Sequence, residues 1–395
     1  MSSTTPVGDQ AAATAADQDH MTAVTAVIDR VIAPSAAEVD RTGSFPRRGV
    51  EALGGAGLLG LVSATEVGGG GAGLAAAAAV IERLARACGS TAMVTLMHYA
   101  AMAIIEAHGP ERVRSEIAAG RHLTTLAFSE SGSRSHFWAP LSTATADGAG
   151  PVRLEARKSW VTSAGEADSY VWSSRPLAAT GPMTLWLVPA DAPGLSVHGS
   201  FDGLGLRGNA SSPVTAEHVA VPFEAMLGAD GAGLDVALQT ALPVFLVLNA
   251  AFSLGLMEAL VAEAQAHLTR TRLDHLDQTL AQQPTARATL ARVRNRTDEV
   301  RAFLGDTLAA IQTGHQDATL RVLQVKAVAA EAAAEVGDGV MRLCGGSAFR
   351  KELGVERRFR DALAARVMAP TTEALHDLVG RLACGLPLFD GDGAA

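Results

Sequence analysis

The sequence predicts a mainly helical protein with a small β-domain set into its middle, and three observations support this. The 395 residues are 48% hydrophobic but only 4% aromatic, so alanine, leucine and valine must fill the interior, a composition suited to close-packed helices. Apolar residues recur at helical spacing up to about residue 120 and again from about residue 236. Between them the period falls to two, and short runs are divided by Gly, Pro, Asp and Ser. The expected organisation is a tail (1–20), an N-terminal helical domain (21–120), a central β-domain (121–235), a C-terminal helical bundle (236–385) and a second tail (386–395). Strands are expected only within the central part, with no parallel sheet.

The elements follow in order. "MTAVTAVIDRVIAPSAAEVDRTG" puts Val24, Val27, Ile28, Val31 and Ile32 on one helical stripe. A short helix and a glycine-rich loop come next. The run Gly68–Gly71 has no GK[ST] ending and follows no clear strand, so a flexible inter-helix loop is expected rather than a phosphate cradle. Two alanine-rich helices, Leu74–Ala87 and Thr91–His108, complete the first domain. "HLTTLAFSE", "VRLEARKSWVTSA", "SYVWSSRPL", "MTLWLVPA", "LSVHGS" and "VTAEHVAVP" are the strand candidates. Helices return after Gly231, with breaks near Pro284, Gly314 and Gly345–Gly346. The uncharged run between Asp235 and Glu258 contains Gln239, Thr240, Pro243, Asn249 and Ser253, which are costly in lipid. A buried helix is expected there, not a membrane span.

The bulk numbers exclude some functions. A net charge of −9 argues against general nucleic-acid binding, which needs a basic face. Cys88, Cys344 and Cys384 are odd in number and lack metal-ligand spacing, so they are expected to be reduced thiols of a cytoplasmic protein without a metal. The first twenty residues lack the basic and apolar regions of a signal peptide.

Five segments carry a family likeness. "LAFSESGSRS" (126–135) is similar to a strand and loop usually written TEPGAGS, and "KSWVTSAGEADSYV" (158–171) to K-x-W-I-T-N-x-x-x-A-D. "GLGLRGNASSPVTAEHVAVP" resembles a G-x-R-G…V-x-V-P hairpin. "LCGGSAFRKELGVERRFRDA" is similar to Q-x-x-GG…P-x-E-R-x-x-RDA, and the segment from Ile32 to Gly73 resembles the matching entry segment. In this order and at these gaps they resemble the acyl-CoA dehydrogenase flavoprotein family over about residues 21–385. The likeness implies that family's fold: an N-terminal helical domain, a small β-barrel or sandwich and a C-terminal four-helix bundle. It also implies FAD as cofactor, and a homodimer or homotetramer.

The resemblance further implies which residues meet the flavin. A lone Trp in a strand is ordinarily a core aromatic, but within K-S-W-V-T Trp160 is placed to stack on the isoalloxazine ring, beside Val161 and Thr162. Phe128, Ser129, Ser131 and Gly132 stand where the family lines the flavin, and Ser135 where it also touches the acyl thioester. Gly345-Gly346, Arg342 (usually glutamine) and Arg272 correspond to groups reaching a neighbouring subunit's flavin. The Phe-Gly that normally follows the last of these is missing. In "VERRFRDALAARVMAPTTEAL" the helix bearing Arg357, Arg358, Arg360, Asp361 and Arg366 runs into the neutral corner Met368–Thr371. Eight residues beyond Asp361 comes Ala369, on the position of the family's catalytic glutamate; Thr371 and Glu373 fall on cofactor-contacting positions. The charged helix is expected to be a network holding that corner.

The second place where some members carry the base falls on Phe245, and an adjacent arginine becomes Leu246. Phe245, Leu246, Ala369 and Ser135 are thus the expected substrate contacts, and both usual base positions are apolar. A dehydrogenase must remove a carbon-bound proton, so another base is needed: His98 first, then Glu130, His136 or His376. Three functions stay open. The first is α,β-dehydrogenation of an acyl thioester, on coenzyme A or a carrier protein, with a non-standard base. The second is flavin-dependent monooxygenation in a dry pocket, and the third is flavin binding without catalysis.

Overall fold

The computed structural model describes residues 19–133, 136–146, 148 and 150–389; Ser135 and most of both expected tails lie outside them. Helix α1 spans 19–42, with a wider-wound stretch at Ile28–Ile32 before Ala33–Thr42, and stops at Gly43 in the left-handed region. Then come α2 (Arg47–Gly55), α3 (Leu74–Ala87), α4 (Gly89–His108) and α5 (Glu111–Ala118). Helix α4 is apolar almost all round because neighbours cover every side. The glycine run is not the flexible loop expected. Gly70, Gly71 and Ala72 donate to the carbonyls of Gly60, Ser63 and Leu61 at 2.8–3.0 Å. A Cβ on Gly69 or Gly70 would collide with that backbone.

Seven strands form the β-domain: β1 (Thr124–Ala127), β2 (Thr143–Ala146), β3 (Val152–Val161), β4 (Ser169–Ser174), β5 (Thr184–Pro189), β6 (Leu195–Val197) and β7 (Ser212–Val221). They make two sheets, ordered β1-β4-β5 and β2-β3-β7-β6. Two expectations need correction. Strands β1 and β4 are parallel, with Thr124 opposite Ser169. The chain passes through the other sheet between them, a connection long enough to bring it back in the same direction. A two-residue ribbon, Arg272–Leu273 with Gln278–Thr279, also lies outside the central domain. Strand β2 went unforeseen because "TATA" carries no apolar alternation; its last two residues are exposed.

The C-terminal part comprises α6 (Gly233–Gln239), α7 (Ala241–Arg270), α8 (Pro284–Thr313), α9 (Ala318–Cys344), α10 (Val355–Val367) and α11 (Thr372–Ala383). Pro284 opens α8, where its missing N–H costs nothing, and left-handed Gly314 closes it. Helices α7, α8 and α9 pack together with α10, and α7 also contacts α3 and α4. This tie joins the two helical blocks into one core. The stretch Gly233–Arg270 is long and apolar enough to cross a membrane, yet 94% of its apolar window is buried inside the fold.

Candidate active site

A cleft opens where α4, the ends of β1 and β3, α6, the start of α7 and the corner after α10 meet. It brings together five of the sequence-expected residues: Phe128, Ser129, Trp160, Phe245 and Ala369. Met97, Leu126, Phe137, Ser159, Ala237, Ala241, Leu242 and Pro370 complete the wall. No titratable side chain lines it among the described residues.

Trp160 owes its place to a register shift in β3 between Lys158 and Val161, where the strand bulges against β7. Its backbone is left-handed (φ 56°) and its side chain is 70% exposed, whereas Trp172 and Trp186 are fully buried. An indole standing open at a cleft is a surface awaiting a flat partner. Two residues before it, Lys158 points the other way, fully buried. Its Nζ donates to Glu130 (2.5 Å), the Ser173 carbonyl (2.7 Å) and the Ser173 hydroxyl (2.9 Å). Burial pulls this amine down to about 8 against the attraction of Glu130. Glu130 also accepts from the backbone N–H groups of Leu141 (2.5 Å) and Ser142 (3.1 Å) and from the Ser142 hydroxyl. Burial alone would raise the Glu130 pKa, but Lys158 and Ser142 outweigh it and hold the carboxyl below its usual range. Glu130 is therefore a clamp between Ser129 and the bulge, with no lone pair turned to the cleft.

His98 does not face the cleft either. It is fully buried, takes a hydrogen bond at Nδ1 from the Thr124 N–H (3.1 Å) and donates from Nε2 to the Leu59 carbonyl (3.2 Å). Burial lowers its pKa to about 4, so it stays neutral with both nitrogens committed. His136 and His376 are exposed and line nothing in the cleft.

The corner is held differently from the expectation. Lys326 of α9, fully buried, donates from Nζ to the carbonyls of Met368 (2.9 Å) and Pro370 (2.7 Å), on either side of Ala369. Burial brings this amine down to about 7, opposed by Glu373. The Ala369–Pro370 peptide is cis. Thr371 caps α11 by accepting from the Ala374 N–H (3.3 Å). The charged helix α10 instead fastens other parts. Arg360 reaches both oxygens of Asp40 (2.9 and 2.6 Å), Glu356 (2.7 Å) and the Leu204 carbonyl (2.9 Å). Asp361 accepts from the Leu206 N–H (2.6 Å), its pKa raised by burial to about 6. Arg366 pairs with Glu331 on α9. Sequence reasoning missed Lys326 because nothing in "LQVKAVAAEAA" distinguishes it from a surface lysine of an alanine-rich helix.

The other expected contacts are placed elsewhere. Leu246 is fully buried in the bundle: one step along a helix turns a side chain by about 100°, so it cannot share the wall with Phe245. Val161 is buried, and the Thr162 hydroxyl pairs with that of Ser211 (3.1 Å). Ser131, Gly132 and Glu373 are exposed. Arg272 pairs with Asp277, Arg342 with Asp338, and Gly345 and Gly346 are exposed; none borders the cleft of its own chain.

A flavin suits this cleft. The open indole offers a stacking face, Ser129 and Ser159 offer hydroxyls, and the remaining wall is apolar.

Comparison with known proteins gives a consistent result. Residues 14–120, 125–219 and 231–383 match the N-terminal, middle and C-terminal domain models of acyl-CoA dehydrogenase. The short-chain specific acyl-CoA dehydrogenase of Homo sapiens mitochondria is 28% identical over 366 residues, covering 87% of this chain and 84% of that protein. The solved structure of butyryl-CoA dehydrogenase from Megasphaera elsdenii superposes with a TM-score of 0.87 at 21% identity, covering 97% of this chain and all of that one. KijD3 in complex with dTDP superposes with a TM-score of 0.81 at 26% identity, over 94% of this chain and 97% of that one.

Proposed function

The chain belongs to the acyl-CoA dehydrogenase family, whose members are FAD-dependent oxidoreductases, and on that premise we propose that it is a flavin-dependent monooxygenase. One observation carries the choice. Both usual positions for a proton-abstracting carboxylate, Phe245 and Ala369, face the cleft with apolar side chains, and no titratable group replaces them among the described residues. His98 and Glu130 have their polar atoms occupied elsewhere. α,β-Dehydrogenation needs a base within hydrogen-bond reach of a carbon-bound proton. An oxygenation needs an apolar reaction space and no carboxylate base, and this wall of apolar side chains is consistent with that.

Bound FAD would supply two-electron transfer to oxygen or from an organic substrate. The chain's own residues do the rest. Trp160 would offer the ring an apolar stacking face. The hydroxyls of Ser129 and Ser159 can donate to the polar edge of the ring. Met97, Leu242 and Phe245 shape an apolar seat for the reacting end of the substrate, and the small Ala369 leaves room beside Pro370. Lys326 fixes that corner through its two backbone carbonyls.

Dehydrogenation of an acyl thioester, on coenzyme A or a carrier protein, is the second reading. It is favoured by the 28% identical curated relative over 87% of the chain. The two part in one experiment on the FAD-loaded protein. Mixed anaerobically with saturated acyl-CoA thioesters of several lengths, it is expected to stay oxidised. Reduced with dithionite and then mixed with oxygen, it is expected to consume oxygen faster than it releases hydrogen peroxide, whereas a dehydrogenase is expected to be slow in both. Rapid bleaching by a simple acyl-CoA would return the assignment to dehydrogenation.

A further inference from the structure

The chain is only 4% aromatic, yet four aromatic side chains follow one another from the Trp160 cleft to the C-terminal segment. Phe128, just beyond β1, and Phe137 both line the cleft, with their rings stacked at 6.5 Å and 16°. Phe137 meets Trp138 edge to face (5.2 Å, 81°), and Trp138 meets Phe389 at 5.0 Å and 50°. All three separations fall where aromatic pairs attract beyond their buried area. His136 adds a further edge-to-face contact to the Trp138 indole at 4.9 Å.

Phe389 is carried to its place by a folded turn. Helix α11 closes with Gly385 left-handed (φ 71°). The Leu386 N–H donates to the Arg381 carbonyl (2.9 Å) and the Gly385 N–H to that of Leu382 (3.0 Å). This Schellman pattern reverses the chain. Arg381 secures the reversal by donating from Nε to the Pro387 carbonyl (2.7 Å), and Leu388 and Phe389 then pack against the core. The partner segment, 136–142, lies between β1 and β2 outside any helix or strand. Its far end is pinned: Glu130 accepts from Leu141 and Ser142, and Arg175 donates to the Pro140 carbonyl (3.3 Å). Phe137 and Trp138 precede those anchors, and Phe137 is buried in the cleft wall.

We propose that Phe389 and Trp138 position Phe137 in that wall, so that the C-terminal segment sets the shape of the apolar seat beside the flavin. Helix α11 starts directly after the Ala369–Pro370 corner, and the turn at its other end delivers Phe389 to the loop bearing Phe137. One short segment thus bears on two parts of the same wall. This role rests on the Trp160 cleft being the flavin site, and it holds for either oxidation.

The test compares the full FAD-loaded chain with Phe389→Ala by hydrogen exchange read in a mass spectrometer. Amides of residues 136–142 are expected to exchange roughly tenfold faster in the variant, the scale of losing one aromatic pair and part of its buried area. Amides of α4 should be unchanged, which reports separately that the fold is intact. The visible circular dichroism of bound FAD should shift, since it reads the walls around the ring, and Phe389→Tyr should restore both signals. Trp138→Ala should reproduce both changes, and adding Phe389→Ala to it should add little. Exchange of 136–142 altered by less than about twofold in Phe389→Ala overturns the proposal, and so does faster exchange with the FAD dichroism unaltered. Trp160→Ala with undiminished FAD affinity would instead overturn the placement of the flavin on which this role rests.

Discussion

Replacing Trp160 by alanine removes the stacking face and little else, so its effect on cofactor affinity can be estimated from the structure. A tryptophan presents about 250 Å² of surface. With 70% of this side chain open, about 175 Å² is there to be covered. A flat ring lying on one face covers roughly half of that, about 90 Å², which at about 25 cal/mol per Å² is about 2 kcal/mol. Trp160→Ala should therefore weaken FAD binding about thirtyfold. The assay is a titration of deflavinated protein with FAD, read by loss of the cofactor's fluorescence and checked by equilibrium dialysis. Because the side chain is mostly exposed before FAD arrives, the melting temperature of the deflavinated variant should match that of the parent. Trp160→Phe should recover most of the affinity. A change in FAD affinity under about threefold in Trp160→Ala would refute the placement of the ring.

Other consequences can be checked in turn. Ala369→Glu returns a carboxylate to the apolar wall and should raise the rate of flavin bleaching by acyl-CoA by about 10²- to 10⁴-fold in stopped flow; no rise would mean that the wall does not face the substrate's α-carbon. Asp361 has its pKa raised to about 6, so the stability it contributes is present at low pH and is lost as pH rises through about 6. Asp361→Asn should therefore gain on the parent between pH 5 and pH 8 by about 1.4 kcal/mol, and a difference in unfolding free energy that stays flat across this window would contradict the assignment. Arg360→Ala leaves the part-buried Asp40 and Glu356 without their shared partner and should cost about 3–5 kcal/mol in chemical denaturation. The protein should sediment as a dimer or larger, since Phe349 and Val367 stand 78% and 74% exposed; a monomer that still holds FAD tightly would argue against it.

What was legible in the sequence was what local pattern controls. Leu74–Ala87 was delimited correctly because its apolar stripe begins after one loop and ends at the next helix boundary. The cleft was legible through linear motifs: Ser129, Trp160 and Ala369 sit in three recognisable segments and meet in space. Contacts set by tertiary direction were not legible. Leu246 follows Phe245 in sequence but turns into the bundle, and His98 lies on α4 beside Met97, yet only the methionine reaches the cleft. The parallel pairing of β1 with β4 depends on where the chain returns, which no window of residues encodes. Lys326 is the clearest omission, since its role exists only because the chain's two ends of α10 and α11 are brought over it.

The hold of Lys326 on the corner has a consequence for how this scaffold changes over evolutionary time. The ammonium grips main-chain oxygens at Met368 and Pro370 and touches no side chain of the residue between them. Both gripped oxygens belong to residues 368 and 370, so the side chain at 369 can be exchanged without removing either bond. Position 369 thus works like an interchangeable tool tip in a fixed holder: its side chain can change while the two anchoring bonds stay in place.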